Sequence, residues 1–153
     1  NADIADRNDS CTFVTLFVGI LNLRTGVLEY CNGGHNPARL KRADGTVLPM
    51  PVSANCVVGV MEKARFVSER MTLHPGELLL FYTDGVTEAV SADGGMFGEA
   101  RLDQCLADLP KETSAEQVAG GLTACLDAFA NGCEQADDIT LLALRWRQPE
   151  RQP

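Results

Sequence analysis

Residues 77–82 read Glu-Leu-Leu-Leu-Phe-Tyr, and the run stops at Thr83-Asp84-Gly85. An apolar stretch this short, bounded by turn residues, reads as a buried strand rather than a helix. A second stretch of the same kind, 139–146, begins directly after Asp137-Asp138. If the two pair antiparallel, the end of the first lies beside the start of the second, and Asp84 meets Asp137 and Asp138 at one sheet edge. Hard divalent cations such as Mg²⁺ and Mn²⁺ take carboxylate and water oxygens at an edge of that kind. Asp84-Gly85 also reads as a plain turn and Asp137-Asp138 as a solvated strand entry, and the spacing leaves both readings open.

The rest of the chain frames those two strands. Residues 11–23 are apolar at both parities over 13–17 and again over 18–21, which predicts a strand covered on both faces and central in its sheet. Arg24-Thr25-Gly26 turns it into a partner strand at 27–30, and Asn32-Gly33-Gly34-His35-Asn36-Pro37 follows as a turn cluster. Ala43-Asp44-Gly45, between 38–41 and 46–48, predicts a second hairpin. Residues 49–60 hold no sustained period and read as a loop, whereas 65–73 alternates as a strand with one wet face. Two helices follow, one with Leu102, Cys105, Leu106 and Leu109 on a stripe, the other with Val118, Leu122, Cys125, Leu126 and Phe129. Ser114 and Gln117 have capping-box spacing at the start of the second helix, and Asn131-Gly132 supplies its stop. Several strands, two helices and a closing strand make an α+β fold, a layered sandwich of two antiparallel β-sheets flanked by helices.

Composition narrows the partners. With 13 basic against 21 acidic residues the formal charge is -8, which argues against nucleic acid or an anionic membrane surface. No apolar stretch approaches the roughly 20 residues of a membrane-spanning helix. Six cysteines without a Cys-x-x-Cys pair read as buried, reduced thiols of a cytoplasmic protein. The chain fits a single domain: 1–12 as a residual N-terminal segment, 13–146 as its body, and 147–153 as a flexible tail.

Five segments carry a resemblance when taken in order. They are Phe-Val-Thr-Leu-Phe-Val-Gly-Ile-Leu (13–21), Gly-Gly-His-Asn-Pro (33–37), Phe-Tyr-Thr-Asp-Gly-Val-Thr-Glu-Ala (81–89), Met-Phe-Gly (96–98) and Ala-Asp-Asp-Ile-Thr-Leu-Leu-Ala-Leu-Arg (136–145). Together they resemble the SpoIIE/RsbU branch of the protein phosphatase 2C-like superfamily. The resemblance implies a metal-dependent phosphoserine/phosphothreonine protein phosphatase of a bacterial signalling regulator, with a centre of two Mn²⁺ or Mg²⁺ ions. By analogy its substrate is a phosphorylated anti-sigma-factor antagonist. Carried over residue by residue, the resemblance makes Asp84 and Asp137 metal ligands with catalytic roles, and Asp138 a peripheral or orienting member of the metal set.

The resemblance also implies a Gly-Asp pair that follows an early strand and bridges the two metals. No Gly-Asp dipeptide occurs in this sequence, which places that motif N-terminal to Asn1. On that expectation the chain is a truncated domain without its opening strands and helices. It would bind metal weakly and turn over poorly, and it would leave an apolar face open to self-association, a homodimer among the outcomes.

Other polar residues carry less. His35 sits in a Gly-rich turn and His74 precedes Pro75, neither with a metal-spaced partner, so both read as loop residues. Thr87 and Glu88 read as caps of the turn after Asp84. Arg39 and Lys41 could contact a substrate phosphate, but on a strand they read as solvated charges. No Ser/His/Asp arrangement, Cys-x5-Arg loop or phosphate-binding glycine loop is present. The rival reading is a non-catalytic interaction or dimerisation module with the same fold.

Overall fold

The two apolar stretches form strands at Leu78–Tyr82 and Leu141–Arg145, and they pair antiparallel with Tyr82 opposite Leu141 and Leu78 opposite Arg145. They belong to a computed structural model that describes residues 1–6 and 8–148. Residues 149–153, most of the expected tail, lie outside the described residues. In chain order the elements are α1 (Ala2–Ala5), β1 (Leu16–Leu21), β2 (Val27–Gly33), β3 (Arg39–Lys41), β4 (Val47–Pro49), β5 (Glu69–Thr72), β6 (Leu78–Tyr82), a 3-10 turn (Asp84–Val86), α2 (Gly98–Asp108), α3 (Ala115–Ala130) and β7 (Leu141–Arg145). They divide between two compact units, one built on Asn1–Pro37 and Pro51–Leu73, the other on Ala38–Met50 and His74–Arg147.

The second unit is a four-stranded antiparallel sheet in the order β4-β3-β6-β7 with α2 and α3 on one face. Strand parity sends Leu78, Leu80 and Tyr82 to that face, where they pack with Leu102 and Leu106 of α2 and Val118, Leu122 and Leu126 of α3. All eight are at most 4% exposed, and the five from the helices lie on the stripes that the helical periodicity marks as inward, with Cys105, Leu109, Cys125 and Phe129 of those stripes partly buried against them. The Ser114 hydroxyl accepts from Gln117 N while the Gln117 side chain accepts from Ser114 N, so α3 starts in a closed capping box. Asn131 ends it in the left-handed region at φ 45°.

The first unit is a three-stranded antiparallel sheet in the order β1-β2-β5. Its hairpin forms as expected, but β2 runs on through Gly33, because residues 31–33 still pair with 16–18 of β1, and the Asn32 side chain, bonded to both the amide and the carbonyl of His35, shapes the turn that follows. The expectation of a central strand covered on both faces at 11–23 is overturned. β1 covers only Leu16–Leu21 and is an edge strand, with Leu16, Val18 and Ile20 exposed at 44%, 53% and 74%. Apolar residues at both parities show that a strand suits cover on both faces; they do not supply the covering residues, and among the described ones Asn1, Val58 and Phe66 line a shallow pocket with Leu16 and Val18 while Ile20 stays largely bare. The opposite face of the same sheet buries Leu28 and Tyr30, with the ring of Phe17 stacked on Tyr30 at 5.7 Å.

The cysteines are free, as expected, but they are half-buried rather than buried, and Cys11 is exposed. Among the described residues no helix is long and apolar enough to cross a membrane.

Both tyrosines hold their protons tightly. Burial, then the charge and hydrogen bond of Glu69, push the Tyr30 hydroxyl up to about 12. Burial also raises Tyr82, against the opposing charge of Arg39. For Tyr30 a folded value above the unfolded value of about 10 means that the folded chain binds more protons in that interval, so stability from this group is complete below pH about 10 and falls as pH rises towards 12, and Tyr82 acts in the same direction. In an ultraviolet titration the folded chain should show less phenolate at pH about 10.5 than the urea-unfolded chain; equal phenolate in the two would contradict the burial described.

Candidate metal centre

The β6–β7 ladder delivers two acidic segments to one end of the second unit. Beyond Tyr82 and Leu141 the backbone adds one more bond, Thr83 N to Thr140 O at 3.2 Å. The Thr83 side chain then takes over. Its hydroxyl donates to Asp138 O at 2.8 Å and accepts from Thr140 N at 2.9 Å. Asp84 opens the 3-10 turn, and its carbonyl accepts from the Thr87 hydroxyl at 3.0 Å and from Glu88 N at 2.9 Å. Thr87 thus caps the turn through its side chain, as expected, whereas Glu88 does so only through its backbone amide.

Gly85 lies against the other segment. A Cβ there would stand 2.6 Å from Asp138 O and 3.1 Å from Asp137 O, so the approach of the two segments requires glycine for space.

Asp84, Asp137 and Asp138 are all exposed. Asp84 Oδ1 accepts from Gly85 N at 3.2 Å, Asp137 Oδ1 accepts from Asp138 N at 2.7 Å, and Gln135 Nε2 donates to Asp137 O at 2.7 Å. Among the described residues none of the three carboxylates is paired with a Lys or Arg. The edge therefore gathers unneutralised negative charge on hard oxygen donors, which suits a divalent cation. Among the described residues no group of three or more His, Cys, Asp or Glu side chains converges on one point. The chain's own donors fit a cation that keeps several waters and takes one or two carboxylates, in the manner of Mg²⁺.

The other polar residues lie elsewhere. Arg39 and Lys41 are not solvated: they are 2% and 3% exposed. The register sets Arg39 opposite Leu80 and Lys41 opposite Leu78, so both point to the face that α2 covers. There Arg39 pairs with Glu99 at 2.8 Å and Asp103 at 2.7 Å over the Tyr82 ring. Lys41 Nζ donates to Leu106 O at 2.7 Å and Leu109 O at 2.6 Å, closing the C-terminal end of α2. Burial pushes the Lys41 ammonium below its usual value, with the charge of Arg145 adding to the effect. His35 meets Thr15 Oγ1 at 3.3 Å, and His74 N donates to Glu77 Oε2 at 2.8 Å; both serve loops. Sequence reasoning missed Thr83, although a hydroxyl residue between a buried strand and an Asp-Gly turn is a visible signal.

Two alanine substitutions test the close approach with opposite expected signs. Gly85→Ala must push the backbone carbonyls of 137 and 138 away and should cost about 1–3 kcal/mol in urea unfolding. Gly120→Ala, on the exposed face of α3 with open space around it, should stabilise by up to about 1 kcal/mol.

Comparison with known proteins agrees with this architecture. The profile of the family described as Stage II sporulation protein E (SpoIIE) matches residues 1–147. Protein IcfG of Synechocystis sp. is 33% identical over 140 residues, which are 91% of this chain and 22% of that protein. The RsbU and RsbW domains of Rv1364c from Mycobacterium tuberculosis share 26% identity at a TM-score of 0.73, over 97% of this chain and 40% of that one. The SiaA-PP2C domain of Pseudomonas aeruginosa reaches a TM-score of 0.75 at 19% identity, over 94% of this chain and 56% of that one, a likeness of fold. The chain thus spans well under two thirds of the relatives it matches. Its two antiparallel sheets with flanking helices match those of PP2C-like phosphatase domains, and the chain belongs to the SpoIIE family.

Proposed function

We propose that the chain is part of a metal-dependent phosphoserine/phosphothreonine protein phosphatase domain, with Asp84 and Asp137 holding a divalent cation. The observation that carries this reading is the close approach of the Asp84-Gly85 turn to the 137–138 segment past the end of the β6–β7 ladder, with none of the three carboxylates paired to a basic residue among those described. A bound Mn²⁺ or Mg²⁺ would neutralise phosphoryl oxygens and acidify water at that edge. The chain's own residues do the positioning. Asp84 is presented by a turn closed at Thr87, and Asp137 by a segment held against Gly85. Asp138 contributes its carbonyl to the Thr83 hydroxyl and sets its carboxylate at the rim, which fits an orienting role better than a bridging one.

On the same reading the substrate is a phosphorylated protein, by family analogy an anti-sigma-factor antagonist, met in the cytoplasm. The carboxylates alone form a partial coordination set, so the chain by itself should turn over slowly.

The test is Mn²⁺-dependent hydrolysis of a phosphoserine peptide by this chain and by the same chain extended upstream by roughly 60 to 80 residues. We expect activity in the extended chain, and a fall of more than about 100-fold on Asp84→Asn, beyond the usual cost of losing an outer-sphere partner. Asp84 is exposed, so the variant should keep its fold. Two folded but inactive chains would instead favour the non-catalytic interaction module.

A further inference from the structure

Two acidic segments with no covalent link near the edge must be held at a fixed spacing if they are to share one cation, and backbone pairing cannot do this alone. The last ladder pair is Tyr82 with Leu141, and beyond it Asp84 turns into the 3-10 turn, so its backbone no longer faces 137–139. What spans the interval is one side chain. Thr83 makes three bonds to the opposite segment: its amide to Thr140 O at 3.2 Å, its hydroxyl to Asp138 O at 2.8 Å, and Thr140 N to its hydroxyl at 2.9 Å. The hydroxyl uses its only proton on Asp138 and an acceptor lone pair on Thr140, so it stands in for a missing backbone residue as both donor and acceptor. Branching at Cβ restricts its rotamer and helps to hold that geometry.

We infer that Thr83 is the positioning residue of the acidic edge, setting the distance between Asp84 and the Asp137-Asp138 segment for divalent-cation binding. This rests on the metal-dependent reading of the site. Each acid lies within a few residues of an atom that Thr83 holds: Asp84 follows it in the chain, Asp138 supplies the carbonyl it binds, and Asp137 is one residue further. Gly85 admits the same approach from the other side by carrying no side chain. The clasp and the clearance act on the same pair of segments, so the hydroxyl serves their spacing in addition to the fold.

The experiment is a Mn²⁺ titration by calorimetry on this chain, Thr83→Val and Thr83→Ser, with metal-free amide exchange at Thr140 measured alongside. Valine keeps the branched shape and removes the hydroxyl, while serine keeps the hydroxyl. Thr83→Val should bind Mn²⁺ about 10-fold or more weakly and Thr83→Ser within about 3-fold of the parent, in the range expected for residues that orient ligands. Exchange at Thr140 should quicken in the valine variant alone. A purely structural role would lower the metal-free urea midpoint and leave the Mn²⁺ affinity of the folded chain unchanged; that result, or equal binding by the parent and Thr83→Val, overturns the inference. A folded parent that binds no Mn²⁺ overturns the inference, whereas the metal reading itself stands or falls on the Mn²⁺-dependent activity of the extended chain. Thr83 is half-buried, and should the valine variant not fold, Thr83→Ala makes the same deletion with less bulk and the same expected loss.

Discussion

The acidic edge depends on the antiparallel ladder between β6 and β7 and on the apolar burial that fixes its register. Leu78, Leu80 and Tyr82 face the two helices at 0%, 0% and 2% exposure. Burying a large apolar side chain contributes roughly 1.5–3 kcal/mol. A slip by one residue would turn all three to the other face and draw the helices' apolar stripes off their seat. The register is therefore held by the core, and the position of Asp84 relative to Asp137 is inherited from it. An exposed polar site is thus carried at the end of a ladder whose inner strand is packed under both helices, an arrangement that gives precision to groups that must stay in water.

How much of this could be read in the sequence depended on whether a residue's partners were local. The run at 77–82, the stripes of α2 and α3, and the capping box at Ser114 are local signals and appear where expected. The antiparallel pairing that brings the segments of Asp84 and Asp137 to one end was legible because both acids flank apolar strands, although β7 proves to be a half-buried edge strand with Leu142 exposed. β1 was misjudged, because apolar residues at both parities look the same in a covered strand and in an edge strand whose outer row is largely exposed. Arg39 and Lys41 were misjudged for the opposite reason. On a strand of three residues a charge at every second position suggests a wet face, and only the register with β6 shows that α2 lies over it.

That pair of buried cations gives α2 its seating. Arg39 reaches two acids in the first half of the helix, and Lys41 reaches carbonyls at its end, so one short strand reads the helix along its length. Buried ion pairs are weak evidence for net stability, since desolvation offsets much of the attraction. Their directional bonds nonetheless distinguish one placement of α2 from its neighbours. Apolar packing of leucines alone discriminates less sharply between placements.

The order of elements has a consequence for biosynthesis. β6 sits between β3 and β7, and β7 follows every other described strand in the chain, so one of the sheet's two inner strands leaves the ribosome well before the neighbour that completes it. Until then the row Leu78–Tyr82 has one open hydrogen-bonding edge and no settled helices above it, which is the kind of exposed apolar strand that recruits other chains. Nascent chains halted between α2 and β7 would therefore be the species that most need a chaperone, and the acidic edge would be the last feature to exist.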